Sequence, residues 1–210
     1  MSRLSPAAEK LRRQAQVAAG ATDRERWEDA TSYERFWSDR SAAAAKLCRS
    51  GQWVCDIGCG MQGLKAMLPA GCTYLPADLR RWEPVVETCD LNAGRLPERH
   101  LVRCDVVILL GVIEYIYDLP RLLAALARRA ETVVVSYNCA ELAEVDRPGF
   151  GWVNALTTEA LLELLRQAGL QPNALERFGA MEILVRARNP GFGPLQRLRR
   201  RAARLSPARP

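Results

Sequence analysis

Two hydrophobic rhythms run through the chain. Short unbroken apolar runs alternate with stretches in which apolar positions return every three or four residues. The first kind marks strands buried on both faces, the second amphipathic helices. Strands are predicted over 53–57, 73–78, 85–89, 104–110 and 132–137. Helices are predicted over 6–19, 31–49, 118–129 and 157–168, with helix-compatible residues also at 64–68. Thr31 and Glu34 have the spacing of a capping box for the second helix. Thr157 or Thr158 suits an N-cap and Gly169 a helix stop. Only six residues, 79–84, separate the second strand from the third. A full crossover helix needs a dozen or so, so a turn is expected there. Residues 174–178 and 181–186 flank Gly179-Ala180 and read as a hairpin.

The run at 53–57 leads into Gly58-Cys59-Gly60-Met61-Gln62-Gly63, a Gly-x-Gly-x-x-Gly turn. Glycine reaches positive φ and lets a ligand approach the backbone with no Cβ in the way. Such a turn holds a nucleotide-like ligand in two unrelated chemistries. Dinucleotide binding puts a pyrophosphate there, where an acid would repel it. Asp56, two residues before the first glycine, is such an acid. It suits a ligand that is cationic or offers an amine.

At this point the segment 56–63 resembles the first motif of class I S-adenosylmethionine-dependent methyltransferases. The resemblance covers about residues 31–188. It implies an α/β fold with a doubly wound, mostly parallel seven-stranded sheet, a C-terminal antiparallel hairpin and N-terminal helices. A plain dinucleotide fold would continue with parallel strands instead. The implied division is an N-terminal helical cap (1–50), a cofactor-binding domain (51–189) and a basic tail (190–210). The implied cofactor is S-adenosylmethionine. Asp56, Gly58, Cys59, Gly60 and Gly63 would form its turn, with Asp56 reaching the methionine ammonium. Asp78 and Leu79 would take the ribose, Asp90 and Leu91 the adenine, and Leu110 and Gly111 would flank the methionine portion. A looser likeness links 90–97 and 136–138 to a bacterial group associated with methionine biosynthesis.

Methyl transfer needs alignment, desolvation and, for some acceptors, removal of a proton. Glu114, Tyr115 and Tyr137, at strand ends where open α/β sheets bind ligands, are the candidate catalytic residues; packing alone would also explain the tyrosines. His100, in a polar stretch, reads as a solvated loop residue. The connection 139–156 is long enough to be functional. Its Phe150, Trp152 and Asn154, together with Trp37, are the candidate acceptor contacts. Tyr33, Phe36, Trp37 and the nearby Trp27 suit either a core face or a lid over the site.

Composition narrows the partners. The net charge is +6, yet residues 190–210 hold six arginines and no acid, so the rest of the chain is neutral. Nucleic acid is therefore not the expected partner, and the expected acceptor is a hydroxyl or amine of a small molecule or glycan. A cofactor-binding partner module and an RNA or protein methyltransferase are the alternatives. Seven irregularly spaced cysteines read as buried thiols of a cytoplasmic protein, with no metal site. No apolar run nears the roughly 20 residues of a membrane span. In the tail, Leu195, Leu198, Ala202 and Leu205 share one side of a short basic helix. Such a helix suits an anionic membrane surface or a protein partner, and the tail is expected to be dispensable for folding.

Overall fold

The computed structural model describes residues 5–29, 37–81 and 83–205. Seven strands form one sheet: β1 (Trp53–Ile57), β2 (Thr73–Asp78), β3 (Glu87–Thr88), β4 (Val106–Leu109), β5 (Thr132–Asn138), β6 (Gln171–Phe178) and β7 (Glu182–Arg188). Their order is β3-β2-β1-β4-β5-β7-β6. The first five run parallel, and β7 enters antiparallel between β5 and β6. The chain order therefore reverses between β1 and β4, which opens a crevice at the carboxyl ends of those strands.

Alternation along the central strands separates two apolar layers. Val54, Val106, Ile108, Val134 and Leu184 pack with Ala44, Ala45 and Cys48 from the helix α3 (Trp37–Ala45) and the turn after it. The run Ser41-Ala42-Ala43-Ala44-Ala45 has no bulky side chain, so this helix can lie close to the sheet. Cys55, Ile57, Val107, Leu109, Val133 and Val135 face the other way, against α5 (Leu119–Ala127) and α6 (Thr158–Gln167). Asp118 and Thr157 cap those helices through their side chains.

The N-terminal residues form α1 (Pro6–Ala18) and α2 (Arg24–Glu28). The expected helix over 31–49 is observed as α3, and its Thr31 cap, Tyr33 and Phe36 lie outside the described residues, as does the side chain of Trp37.

Three expectations need correction. After the glycine turn there is no α-helix, only a 3-10 turn at Lys65–Met67. Leu68 precedes Pro69 and is extended (φ −65°, ψ 145°), because the proline ring disfavours the α conformation before it. His100 is not a solvated loop residue. It is buried on the short helix α4 (Glu98–Leu101), where its backbone N–H donates to Glu87 Oε2 at 3.0 Å. Burial holds its imidazole pKa down despite that carboxylate. Finally, the basic tail is not a loose appendage. Its helix α7 (Pro194–Leu205) lies on the body through Arg200, which is 5% exposed.

Candidate cofactor and active site

A cavity of about 420 Å³ occupies the crevice at the strand ends. Its floor is the glycine turn. Gly58 and Gly60 have φ of 77° and 47°, and the amides of Gly58 and Cys59 both donate to Ala77 O, at 2.8 and 3.1 Å. The turn is thereby fixed to β2, without the aid of a following helix.

Asp56, Asp78 and Asp90 all line the cavity and are all buried. Asp56 Oδ2 accepts from Tyr74 Oη at 2.7 Å. Burial is the main influence on this carboxyl, and it raises the pKa to about 7; the Asp78 charge adds to the rise, while Tyr74 and Arg40 oppose it. Asp78 spans the turn: Oδ2 accepts from Gly60 N at 2.7 Å and Oδ1 from Leu79 N at 2.6 Å. Asp90 Oδ1 accepts from Ala93 N, and Oδ2 accepts from Arg95 and from Arg24 of α2. Its carboxylate thus serves as a latch for the N-terminal segment. The neighbouring Leu91 lines the cavity, as do Cys59, Gly63, Leu79, Leu110 and Gly111.

The roof comes from α2 and the turn before it. Thr22 and Trp27 line the cavity. Asn92 Nδ2 donates to Thr22 Oγ1 at 3.1 Å, and Arg26 donates to the carbonyl of Phe150 at 2.7 Å. Trp27 meets Tyr115 edge-on, with ring centroids 4.9 Å apart.

Of the three candidate catalytic residues, only Tyr115 lines the cavity. Its hydroxyl accepts from Trp152 Nε1 at 3.1 Å, and burial raises its pKa. Glu114 is fully buried away from the opening. Its Oε1 accepts from the backbone and side-chain nitrogens of Asn138, at 3.0 and 2.8 Å. Tyr137 Oη donates to Asn154 Oδ1 at 2.7 Å and accepts from Leu156 N at 2.8 Å.

The 139–156 connection also departs from its expected place. Phe150, Trp152 and Asn154 do not line the cavity. Phe150 stacks on Trp152 at 5.0 Å. Asn154 Nδ2 donates to the carbonyls of Ile113 and Ile116. The loop lies beneath α1, held by Lys10–Asp146 and by Arg13 to Gly149 O. It supports the roof; the roof itself is N-terminal.

Arg40 of α3 was not foreseen. It is buried in the cavity wall, pairs with Glu182 Oε1 at 3.1 Å, and lies against Gly111. A Cβ on Gly111 would come within 2.7 Å of its guanidinium. No local pattern singles out this arginine, because its partners lie on β7 and after β4.

A family model described as a methyltransferase domain matches residues 27–175. The chain belongs to this family. It is a class I S-adenosylmethionine-dependent methyltransferase, with the seven-stranded fold of that class. Solved methyltransferases share the fold at low identity. A putative Haloferax volcanii methyltransferase, in complex with its Trm112 activator, aligns with a TM-score of 0.58 at 14% identity over 74% of this chain and 90% of that one. Human N-acetylserotonin methyltransferase with SAM aligns at 0.57 and 16% identity, over 80% and 56%. The N-terminal domain of EvdMO1 with SAH aligns at 0.52 and 19%, over 74% and 82%. No curated protein sequence matches the chain.

The donor set of this methyltransferase fits its cofactor. A buried floor of Asp56 and Asp78 favours a cation over a phosphate, and the Arg40 guanidinium, paired with Glu182, stands in the same wall. The Asp56 shift gives a test. An ammonium ligand prefers the ionised carboxylate, which the ligand-free site protonates below about pH 7. Affinity for S-adenosylmethionine should therefore rise roughly fivefold or more from about pH 6 to 7.5, with proton release on binding. Calorimetry in buffers of different ionisation enthalpy would show it. Asp56→Asn should bind weakly with a flat profile; a flat profile in the unaltered protein would remove Asp56 from the ammonium. The same shift means that the ligand-free fold loses stability as pH rises through 7, since the folded state holds this proton more tightly than the unfolded.

Proposed function

We propose that the protein transfers the cofactor's methyl group to a hydroxyl or amine of a small molecule or glycan. The observation carrying this reading is the partial roof. Thr22 and Trp27 line the crevice, and their segment is latched through Arg24 to Asp90, Thr22 to Asn92 and Arg26 to the Phe150 carbonyl. The remaining opening suits a small acceptor better than a polymer. The neutral body supports the same choice. Methyltransferases of similar fold include the human N-acetylserotonin and mitomycin 7-O enzymes. The reading extends to residues 1–50 as a cap on a 51–189 cofactor domain, to a cytoplasmic setting supported by seven unpaired thiols, and to the methionine-biosynthesis likeness supported by 90–97 and 136–138.

When bound, the cofactor supplies a methyl group on a positively charged sulfur whose leaving group is a neutral thioether. Asp56 would hold the ammonium. Asp78 and Leu79 would hold the ribose, Asp90 and Leu91 the adenine edge, and Leu110 and Gly111 the methionine chain. Cys59, Gly60 and Gly63 would form the walls. Trp27 and Tyr115 would exclude water from the acceptor.

Tyr115 is the residue we assign to acceptor positioning. Burial keeps its phenol protonated at neutral pH, so it would donate to an acceptor heteroatom instead of removing a proton. Phe150, Trp152 and Asn154 would act through it, by way of the Trp152 indole. Glu114 and Tyr137 would keep Asn138 and the loop in place.

Titration should give tight binding of S-adenosylmethionine and its demethylated product, and hardly any of NAD. Turnover against a panel of small hydroxyl and amine acceptors should find a substrate. With it, Tyr115→Phe should lose roughly tenfold or more in kcat/KM, with cofactor affinity within a few-fold. Strong cofactor binding with no turnover on any panel member would favour a partner-module role; no cofactor binding would remove the reading entirely.

A further inference from the structure

The helix α7 is docked the wrong way round for an ordinary amphipathic helix. Arg197, Arg200 and Arg204 face the protein. Arg200 Nη1 contacts Asp105 Oδ1 at 2.9 Å and Glu131 Oε2 at 3.4 Å. Arg204 Nη2 contacts Asp105 Oδ1 at 2.7 Å, and Arg197 contacts Glu131 Oε1 at 2.9 Å. The Arg200 and Arg204 guanidiniums also cover Phe192 and Trp53. The leucines face water: Leu195, Leu198 and Leu205 are 59%, 63% and 87% exposed.

At 3.6 residues per turn, Leu195, Leu198, Ala202 and Leu205 fall within an arc of about 80°, nearly opposite Arg200 and Arg204. Exposed Arg199 and Arg201 border that arc on its two sides. The helix carries no acid. An apolar strip edged by cations, on a helix held rigidly by its other face, is complementary to an anionic lipid surface. A second copy is the poorer occupant. Three leucines fall far short of the roughly 1,200 Å² of a stable interface, and a two-fold contact would bring arginine against arginine.

We propose that the leucine face of α7 docks this protein on an anionic lipid surface, with its cofactor cavity turned towards water. The orientation follows from the sheet. Trp53, Asp105 and Glu131, the seat of α7, lie at the amino ends of β1, β4 and β5, whereas the cavity lies at the carboxyl ends, about 16 Å along the strands. Docking therefore brings the protein to the membrane without feeding lipid into the site.

Sedimentation with vesicles of phosphatidylglycerol and phosphatidylcholine tests this on the full chain. Binding should appear at about 0.05 M salt, vanish near 0.5 M, and be at least tenfold weaker on phosphatidylcholine alone. Leu195→Ser/Leu198→Ser/Leu205→Ser should abolish it. Arg199→Gln/Arg201→Gln should weaken it roughly fivefold per arginine. These side chains are exposed, and an unchanged melting temperature in both variants would confirm intact folding. Affinity for S-adenosylmethionine should stay within a few-fold on vesicles. Absence of binding at low salt, binding unaffected by the triple leucine change, or loss of cofactor affinity on vesicles would each overturn the proposal. A concentration-dependent dimer in light scattering that the leucine changes dissolve would assign the strip to a second copy instead.

Discussion

Gly58→Ala should weaken S-adenosylmethionine binding by at least about 30-fold. Gly58 has φ of 77°, where an L side chain costs roughly 1–2 kcal/mol. Its Cβ would also lie 2.4 Å from Val112 Cγ2, an overlap that forces one side to move. Displacing packed atoms costs roughly 1–3 kcal/mol more. Val112 is half-buried in the cavity wall, so the overlap is relieved by turning its side chain into the cavity or by shifting the turn. Moving the turn would break the Gly58 and Cys59 bonds to Ala77 O and the Asp78 bond to Gly60 N, and both residues 58 and 112 face the cavity. The obstruction is therefore indirect: the methyl group presses on a wall residue and does not enter the ligand space. This separates two components. Gly58→Ala/Val112→Ala removes the overlap and keeps the strained φ, so it should recover part of the affinity. Calorimetry with the demethylated cofactor would measure both. Near-normal affinity in the single variant would show that the turn does not hold the cofactor.

The sheet was legible because its determinants are local. Unbroken apolar runs at 106–109 and 133–135 announce central parallel strands, and Gly179-Ala180 announces the hairpin, with Gly179 at a positive φ of 61°. The acids at strand ends were legible for the same reason: Asp56, Asp78 and Asp90 each follow or end an apolar run, and the sheet brings all three to one cavity. Their present partners were not legible. The carboxylate of Asp90 is held by Arg24, which is 66 residues away. Asp78 is tied to the turn through two backbone amides. The missing helix after the turn is encoded locally, because Pro69 holds Leu68 extended behind the helix-forming residues. Arg40 was not legible. Its importance comes from Glu182 and Gly111, and nothing in residues 37–45 points to either. The 139–156 loop shows the same limit. Its length and aromatics signalled function, but only the packing of α1 on it shows that it props the roof up.

Truncation after Gly193 should lower stability by about 2–4 kcal/mol and the melting temperature by roughly 5–15 °C. Sequence periodicity correctly gives the helix 194–205 but not its seat, because Asp105 and Glu131 are remote in the chain. Removing α7 would leave the Asp105 carboxylate without Arg200 and Arg204, and Glu131 without Arg197 and Arg200. It would also uncover Phe192 and one face of Trp53. Asp105 retains the Trp53 N–H, which donates to Oδ2 at 2.9 Å, and its side chain is 22% exposed. Water can therefore reach it, and the loss should stay below that of a fully buried pair. Arg200→Ala alone should account for about half of the effect, since that residue is the most deeply buried of the three. The cofactor cavity lies at the far end of the strands, so cofactor affinity should remain within a few-fold wherever the truncated chain is folded. Thermal denaturation of the two variants beside the full chain, with cofactor titration well below their midpoints, would test both parts. An unchanged midpoint on truncation would mean that α7 does not pack on the body in solution, and a large loss of affinity in a folded variant would mean that the two ends of the sheet are coupled.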